Sequence, residues 1–145
     1  AVRFDTRGLG EEFYRSVDVQ SCEDAGLSID GETLEWWWQQ DETAREELRG
    51  GEDLEAVLHS FSNFYGGCDQ VWARGYDFDL GILREAFERV GMAVPWEYWH
   101  KRDARTFVEE VGVDKLPDDG TDHHALDDAR EQARHVAKAL QEVDA

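Results

Sequence analysis

The chain is poor in lysine, proline, cysteine and methionine, and each shortage excludes something. Its 145 residues include two prolines, two cysteines and one methionine. Cys22 and Cys68 stand far apart and form no CxxC, so neither a disulfide scaffold nor a cysteine zinc site is expected. They read as buried free thiols of a cytoplasmic protein. No apolar run approaches the roughly 18 residues of a membrane span, and no signal peptide is visible. Lysine occurs only at Lys101, Lys115 and Lys138, beside 12 arginines. Against these 15 basic residues stand 34 acidic ones, giving a formal net charge of −19 and a pI near 4.4. Such a surface does not grip nucleic acid or anionic lipid by bulk electrostatics. A phosphate-bearing ligand would need local positive charge, such as a metal ion. Abundant Asp and Glu with scarce Lys points to high-salt (halophilic) adaptation, where screening removes self-repulsion. An acidic protein of ordinary salt is the alternative.

What is present suffices for a core. Hydrophobic residues make up 41% and aromatics 12% of a length that fits one domain, residues 1–145. Residues 1–5 alternate apolar and polar and predict a strand. Gly8 and Gly10 mark a turn over 6–11, and residues 12–19 alternate again as the hairpin partner. From Asp30, a candidate N-cap, the spacing becomes helical. Further helices are predicted over 41–48 and 53–64, the second with Leu54, Val57, Leu58, Phe61 and Phe64 on one face. A short strand over 70–73, a turn at Gly75 and a helix to about residue 90 follow. Trp96, Tyr98 and Trp99 fill a loop, with Trp96 and Trp99 read as packing residues. Another helix spans 103–111. Thr121 or Asp122 caps a long last helix, with Ala125, Leu126, Ala129, Ala133, Val136, Ala137 and Leu140 facing the core. Strands mixed with helices predict a layered α/β domain.

Two segments carry candidate chemistry. In Ala73-Arg74-Gly75-Tyr76-Asp77-Phe78-Asp79, the spacing of Asp79, Leu83, Ala86 and Val90 puts Asp79 on the apolar face of a helix's first turn, with Asp77 as a surface cap. A carboxylate there must be paired, cap a backbone amine or hold a metal. In Asp122-His123-His124-Ala125-Leu126-Asp127-Asp128, two imidazoles and three carboxylates cluster at a helix start. His124 and Asp128 are i, i+4 neighbours. Periodicity does not choose between Asp127 and Asp128, and acids in a first turn also suit the helix dipole without any chemistry.

Together the G-Y-D-F-D-L-G-I-L and H-H-A-L-D-D-A segments resemble the second and third motifs of the DnaQ-like (RNase T-like) 3'-5' exonucleases, DEDDh subgroup. The phage and bacterial branch is the closer likeness, through A-V-R-F-D, T-L-E-W-W-W-Q-Q, P-W-E-Y-W and R-D-A-R-T. The resemblance implies an RNase H-like α/β fold, a central mixed sheet with helices on both faces. It implies hydrolysis of single-stranded DNA or RNA from the 3' end by a soluble cytoplasmic enzyme, and relatives that are often homodimers. Residue by residue, Asp79 and Asp128 would be metal ligands and His123 the general base. His124 falls on a variable position, although angular proximity alone prefers it. Asp103 matches a recurrent non-ligand Asp and reads as structural. Two divalent ions, Mg²⁺ or Mn²⁺, are implied, held by four carboxylates. Two of those would come from a D-x-E on a first strand just upstream of the segment equivalent to A-V-R-F-D. The chain begins at Ala1 without it, so a truncated first strand is the expectation.

Substrate contacts are expected at Arg74, Phe78, Trp37 and Trp38. The Trp36-Trp37-Trp38 run offers base stacking, but two of the three are expected in the core. Arg45, Arg49, Arg102 and Arg105 are candidate phosphate contacts or surface ion pairs. A binding or interaction module that kept the fold is the competing class. A metal hydrolase using His123 and His124 as direct ligands is a third.

Overall fold

A computed structural model describes residues 1–114 and 124–145. The chain divides into two compact units that interleave in sequence. The first comprises Ala1–Tyr14, Cys68–Leu80 and Trp96–Ala145; the second comprises Arg15–Gly67 and Gly81–Pro95.

The first unit opens with a hairpin, β1 (Val2–Asp5) antiparallel to β2 (Gly8–Glu12), with Asp5 opposite Gly8. The turn is therefore tighter than its glycines suggest. Asp5 closes it: Oδ1 accepts the Arg7 amide at 2.8 Å, and Oδ2 accepts Arg7 Nε and Nη2 at 3.0 and 2.6 Å. Gly8 and Gly10 lie in the returning strand, not the turn, and of the predicted partner over residues 12–19 only Glu12, opposite Val2, belongs to that strand. A second sheet pairs β3 (Val71–Ala73) in parallel with β4 (Lys101–Asp103). Among the described residues the strands thus form two separate two-stranded sheets in a mixed α/β arrangement, where one central mixed sheet was expected. Each strand is three to five residues long and is paired along one edge only.

Helix α6 (Ala104–Val111) ends at Gly112, whose φ of 77° is left-handed backbone that suits glycine. It packs against α7 (Ala125–Asp144), which also packs on the hairpin. Ala104 and Val108 meet Val136 and Ala139, and Phe4, Trp72 and Phe107 close around them. Small side chains let the two helix backbones approach. The final helix buries Ala133, Val136, Ala137 and Ala139, whereas Ala125, expected in the core, is exposed.

The second unit holds α1 (Val19–Asp24), α2 (Gly31–Trp38), α3 (Glu42–Glu46) and α4 (Leu54–Tyr65). Each starts at an aspartate whose carboxylate accepts a backbone amide: Asp18 from Ser21, Asp30 from Thr33, Asp41 from Ala44 and Asp53 from Ala56. Leu54, Val57, Leu58 and Tyr65 of α4 are buried in this unit, as is Phe87; the Phe61 and Phe87 rings lie 6.5 Å apart. Helix α5 (Tyr76–Arg89) begins in the first unit and continues in the second. Cys22 and Cys68 are free, half-buried thiols, and burial raises the Cys22 thiol above its ordinary pKa. No helix among the described residues is long and apolar enough to cross a membrane.

Candidate functional site

The β3–α5 turn brings Asp79 forward, and one carboxylate shapes that turn. Asp103, the last residue of β4, lies beside Ala73 in the parallel pair. Its Oδ2 accepts the amides of Gly75 at 3.0 Å and Tyr76 at 3.1 Å, while Oδ1 accepts Thr106 N at 2.9 Å. Asp103 thus caps α6 and holds the entry to α5 together. The hydrogen bond from Thr106, joined by those from Tyr76 and Gly75, holds its carboxyl below the usual range. Gly75 has φ +78°, and a Cβ there would meet nothing within 4 Å, so its requirement is purely conformational.

Asp79 follows in the first turn of α5. It shares the angular window of the stripe formed by Leu80, Leu83, Ala86 and Phe87, yet it is exposed while the adjacent Leu80 is buried. The expected core-face carboxylate is therefore a surface one. Among the described residues it has no hydrogen-bond or ion-pair partner. Neighbouring protein still strips part of its hydration and pushes its pKa up. Asp77, expected as a cap, lies inside the helix. Arg74 is exposed, and Phe78 is 73% exposed.

At the start of α7, His124 occupies the N-cap position without a side-chain capping bond. Its ring stacks on Tyr14 with centroids 5.0 Å apart, and its buried Nδ1 lies 3.6 Å from Asp127 Oδ2. The structure separates the two aspartates that periodicity left equivalent. Asp127 accepts Arg130 Nη1 at 2.7 Å, and Arg130 also grips Glu12 of β2 through Nε and Nη2, both at 2.7 Å. Hydrogen bonding by Arg130 lowers the Glu12 carboxyl, and Glu12 and Asp127 raise Arg130. Asp127 is thus engaged in pinning α7 to the hairpin, while Asp128 is exposed and gives its amide to His124 O at 3.0 Å. The Asp127–Arg130 spacing was visible in the sequence; Glu12, 118 positions away from Arg130, was not. His123 lies outside the described residues, as do Thr121 and Asp122.

Asp79, Asp128, Arg74 and Phe78 all belong to the first unit, whereas Trp37 and Trp38 belong to the second. Of the tryptophan run, Trp37 is half-buried, Trp36 is exposed and Trp38 is 75% exposed, so the expectation of two in the core fails. An eight-residue helix has one inward side, and three successive indoles cannot share it. Trp96 is buried as expected; Trp99 is exposed, against expectation, because it sits on a short 3-10 turn (Tyr98–His100) facing solvent. Arg102 Nη1 donates to the carbonyls of Trp99 and Lys101 at 2.6 and 2.9 Å. A concavity of about 550 Å³ along the hairpin, from Arg3 to Glu11, includes none of the candidate side chains. Among the described residues no three His, Cys, Asp or Glu side chains gather so as to hold a metal ion. Asp79 and Asp128 therefore do not make a complete ion site with described neighbours alone.

No curated protein and no solved structure matches the chain. One protein-family model does, the 3'-5' exoribonuclease Rv2179c-like domain, over residues 1–140. That span takes in the Asp79 turn, the Asp103 clamp and the His123–Asp128 segment, and the chain belongs to the family of Rv2179c-like 3'-5' exoribonuclease domains.

Proposed function

We propose that the protein removes nucleotides from the 3' end of single-stranded RNA by phosphodiester hydrolysis. Membership of a 3'-5' exoribonuclease family across both motif segments carries this reading. Two exposed carboxylates on the motif segments support it: Asp79, with no partner among the described residues, and Asp128 in the first turn of α7.

In this reading water attacks the terminal phosphorus, the 3' oxygen leaves, and His123 takes the proton from the attacking water. Asp79 and Asp128 are the carboxylates of the site, and Arg74 and Phe78 contact the strand. The DEDDh assignment, the RNase H-like fold and dependence on Mg²⁺ or Mn²⁺ belong to the same proposal and rest on the motif resemblance. Since the described residues do not complete an ion site, chelation tests that dependence directly.

The test uses the full-length protein and a 5'-labelled single-stranded RNA. The reading expects a ladder shortening from the 3' end, abolished by EDTA and restored by Mg²⁺ or Mn²⁺. His123→Ala and Asp128→Ala should each lower the rate about 100-fold or more. Unchanged rates in both variants would overturn the site assignment. Binding without degradation would favour the interaction-module reading. A DNA strand of the same sequence, degraded as fast, would remove the RNA preference and with it any part for 2'-hydroxyl contacts.

A further inference from the structure

The 3-10 turn before β4 exposes two aromatic rings. Tyr98 is 78% and Trp99 56% exposed, and their centroids lie 4.8 Å apart at 87°. Two large rings exposed side by side form a contiguous apolar patch, which marks an interaction surface where a single exposed ring would not. They stand beside the one adjacent pair of basic residues in the sequence, Lys101-Arg102, and close to Arg105. From Glu97 to Arg105, two carboxylates (Glu97, Asp103) face three cations, so this stretch is locally positive in a chain of net charge −19. One of those carboxylates, Asp103, is already engaged by three backbone amides. Among the described residues neither Lys101 nor Arg102 forms an ion pair. Arg102 instead holds the Trp99 carbonyl at 2.6 Å, and the Lys101 ammonium lies 5.5 Å over the Tyr76 ring. The second contact, with the Asp103 bonds to Gly75 and Tyr76, ties the turn to the first turn of α5, where Asp79 lies.

We infer that Tyr98 and Trp99 form a base-stacking platform that holds the single-stranded RNA substrate, with Lys101 and Arg102 supplying local positive charge toward its phosphates. The occupant follows from the chemistry. Aromatic faces take any unpaired base, and adjacent cations favour a polyanion that the rest of the surface repels. Rings at right angles suit a flexible single strand that turns between two bases. A duplex keeps its bases stacked on each other and offers none. The inference rests on the exonuclease reading, since it names where that enzyme holds its strand.

The experiment measures binding apart from hydrolysis. Fluorescence anisotropy follows a labelled single-stranded RNA with hydrolysis-resistant phosphorothioate linkages, using the full-length protein, Tyr98→Ala, Trp99→Ala and Trp99→Phe. Each alanine variant should weaken binding about 5- to 100-fold, the range for loss of one stacked base. Trp99→Phe should restore most of it, and duplex RNA should bind weakly to all four proteins. Alanine variants that bind as tightly as the parent, while the parent still degrades RNA, overturn the platform and leave the exonuclease reading standing. A parent that neither binds nor degrades any single strand overturns both. Equal affinity for duplex overturns stacking, and a dimer in sedimentation that Trp99→Ala dissolves assigns the rings to a protein interface instead.

Discussion

Removing the Asp103 carboxylate should loosen the protein more than removing any other single cap. Asp103 accepts three backbone amides, at 2.9, 3.0 and 3.1 Å, whereas Asp30, Asp41 and Asp53 each cap a helix through the amide three residues on. Loss of an ordinary N-cap costs about 1 kcal/mol. Asp103→Ala also orphans the Gly75 and Tyr76 amides, in a part-buried setting, at about 1 kcal/mol each. The sum is about 3 kcal/mol, or a fall of roughly 9 °C in Tm for a chain of this size. Asp103→Asn keeps one carbonyl acceptor and should lose about half as much. The effect has a pH signature. The folded carboxyl titrates below its unfolded value near 3.9, so its contribution is full above that pH and fades as pH falls through the depressed folded value. The gap between parent and Asp103→Ala should therefore be constant from about pH 5 upward and close below about pH 4. Urea denaturation across pH 3 to 7 measures it. A gap under about 0.5 kcal/mol at pH 7, or one that widens in acid, would refute the clamp.

Three further outcomes follow from the same geometry. Asp79→Asn should leave unfolding at pH 7 unchanged or slightly more resistant, because it removes a partly desolvated carboxylate that has no partner among the described residues, while RNA degradation falls about 100-fold; marked destabilisation by urea titration would contradict the reading. Gly51→Ala should destabilise by over about 3 kcal/mol and Gly50→Ala by about 1, since a Cβ at Gly51 would sit 2.6 Å from the Val17 carbonyl carbon, whereas one at Gly50 meets nothing within 4 Å; equal midpoints in denaturant would show that this contact relaxes freely. With a net charge of −19, folding and activity should hold or improve in molar KCl, and loss of both above ordinary salt by circular dichroism and RNA laddering would sink the halophilic reading.

The sequence by itself determined what short-range chemistry decides. The Asp30 cap, the helices from residues 53 and 103, and the strand–glycine–helix turn before Asp79 were all legible, because capping, apolar periodicity and a left-handed glycine act within a few residues. The hairpin was legible as a hairpin but not in register, because Gly8 and Gly10 look like turn residues until Asp5 is seen gripping Arg7. Helix α1 and strand β4 were not legible. Lys101-Arg102-Asp103 has no strand-like pattern and becomes a strand only because Val71–Ala73 offers it a parallel edge. The candidate site divides the same way. Sequence pattern and motif resemblance singled out Asp79 and the His123–Asp128 segment. Only the tertiary structure decided that Asp79 is uncovered, that Arg130 draws Asp127 to Glu12 and not Asp128, and that Trp99 faces water. Exposure depends on which distant segments pack over a residue, and the Arg130–Glu12 bridge joins groups 118 positions apart, so neither can be read from local pattern.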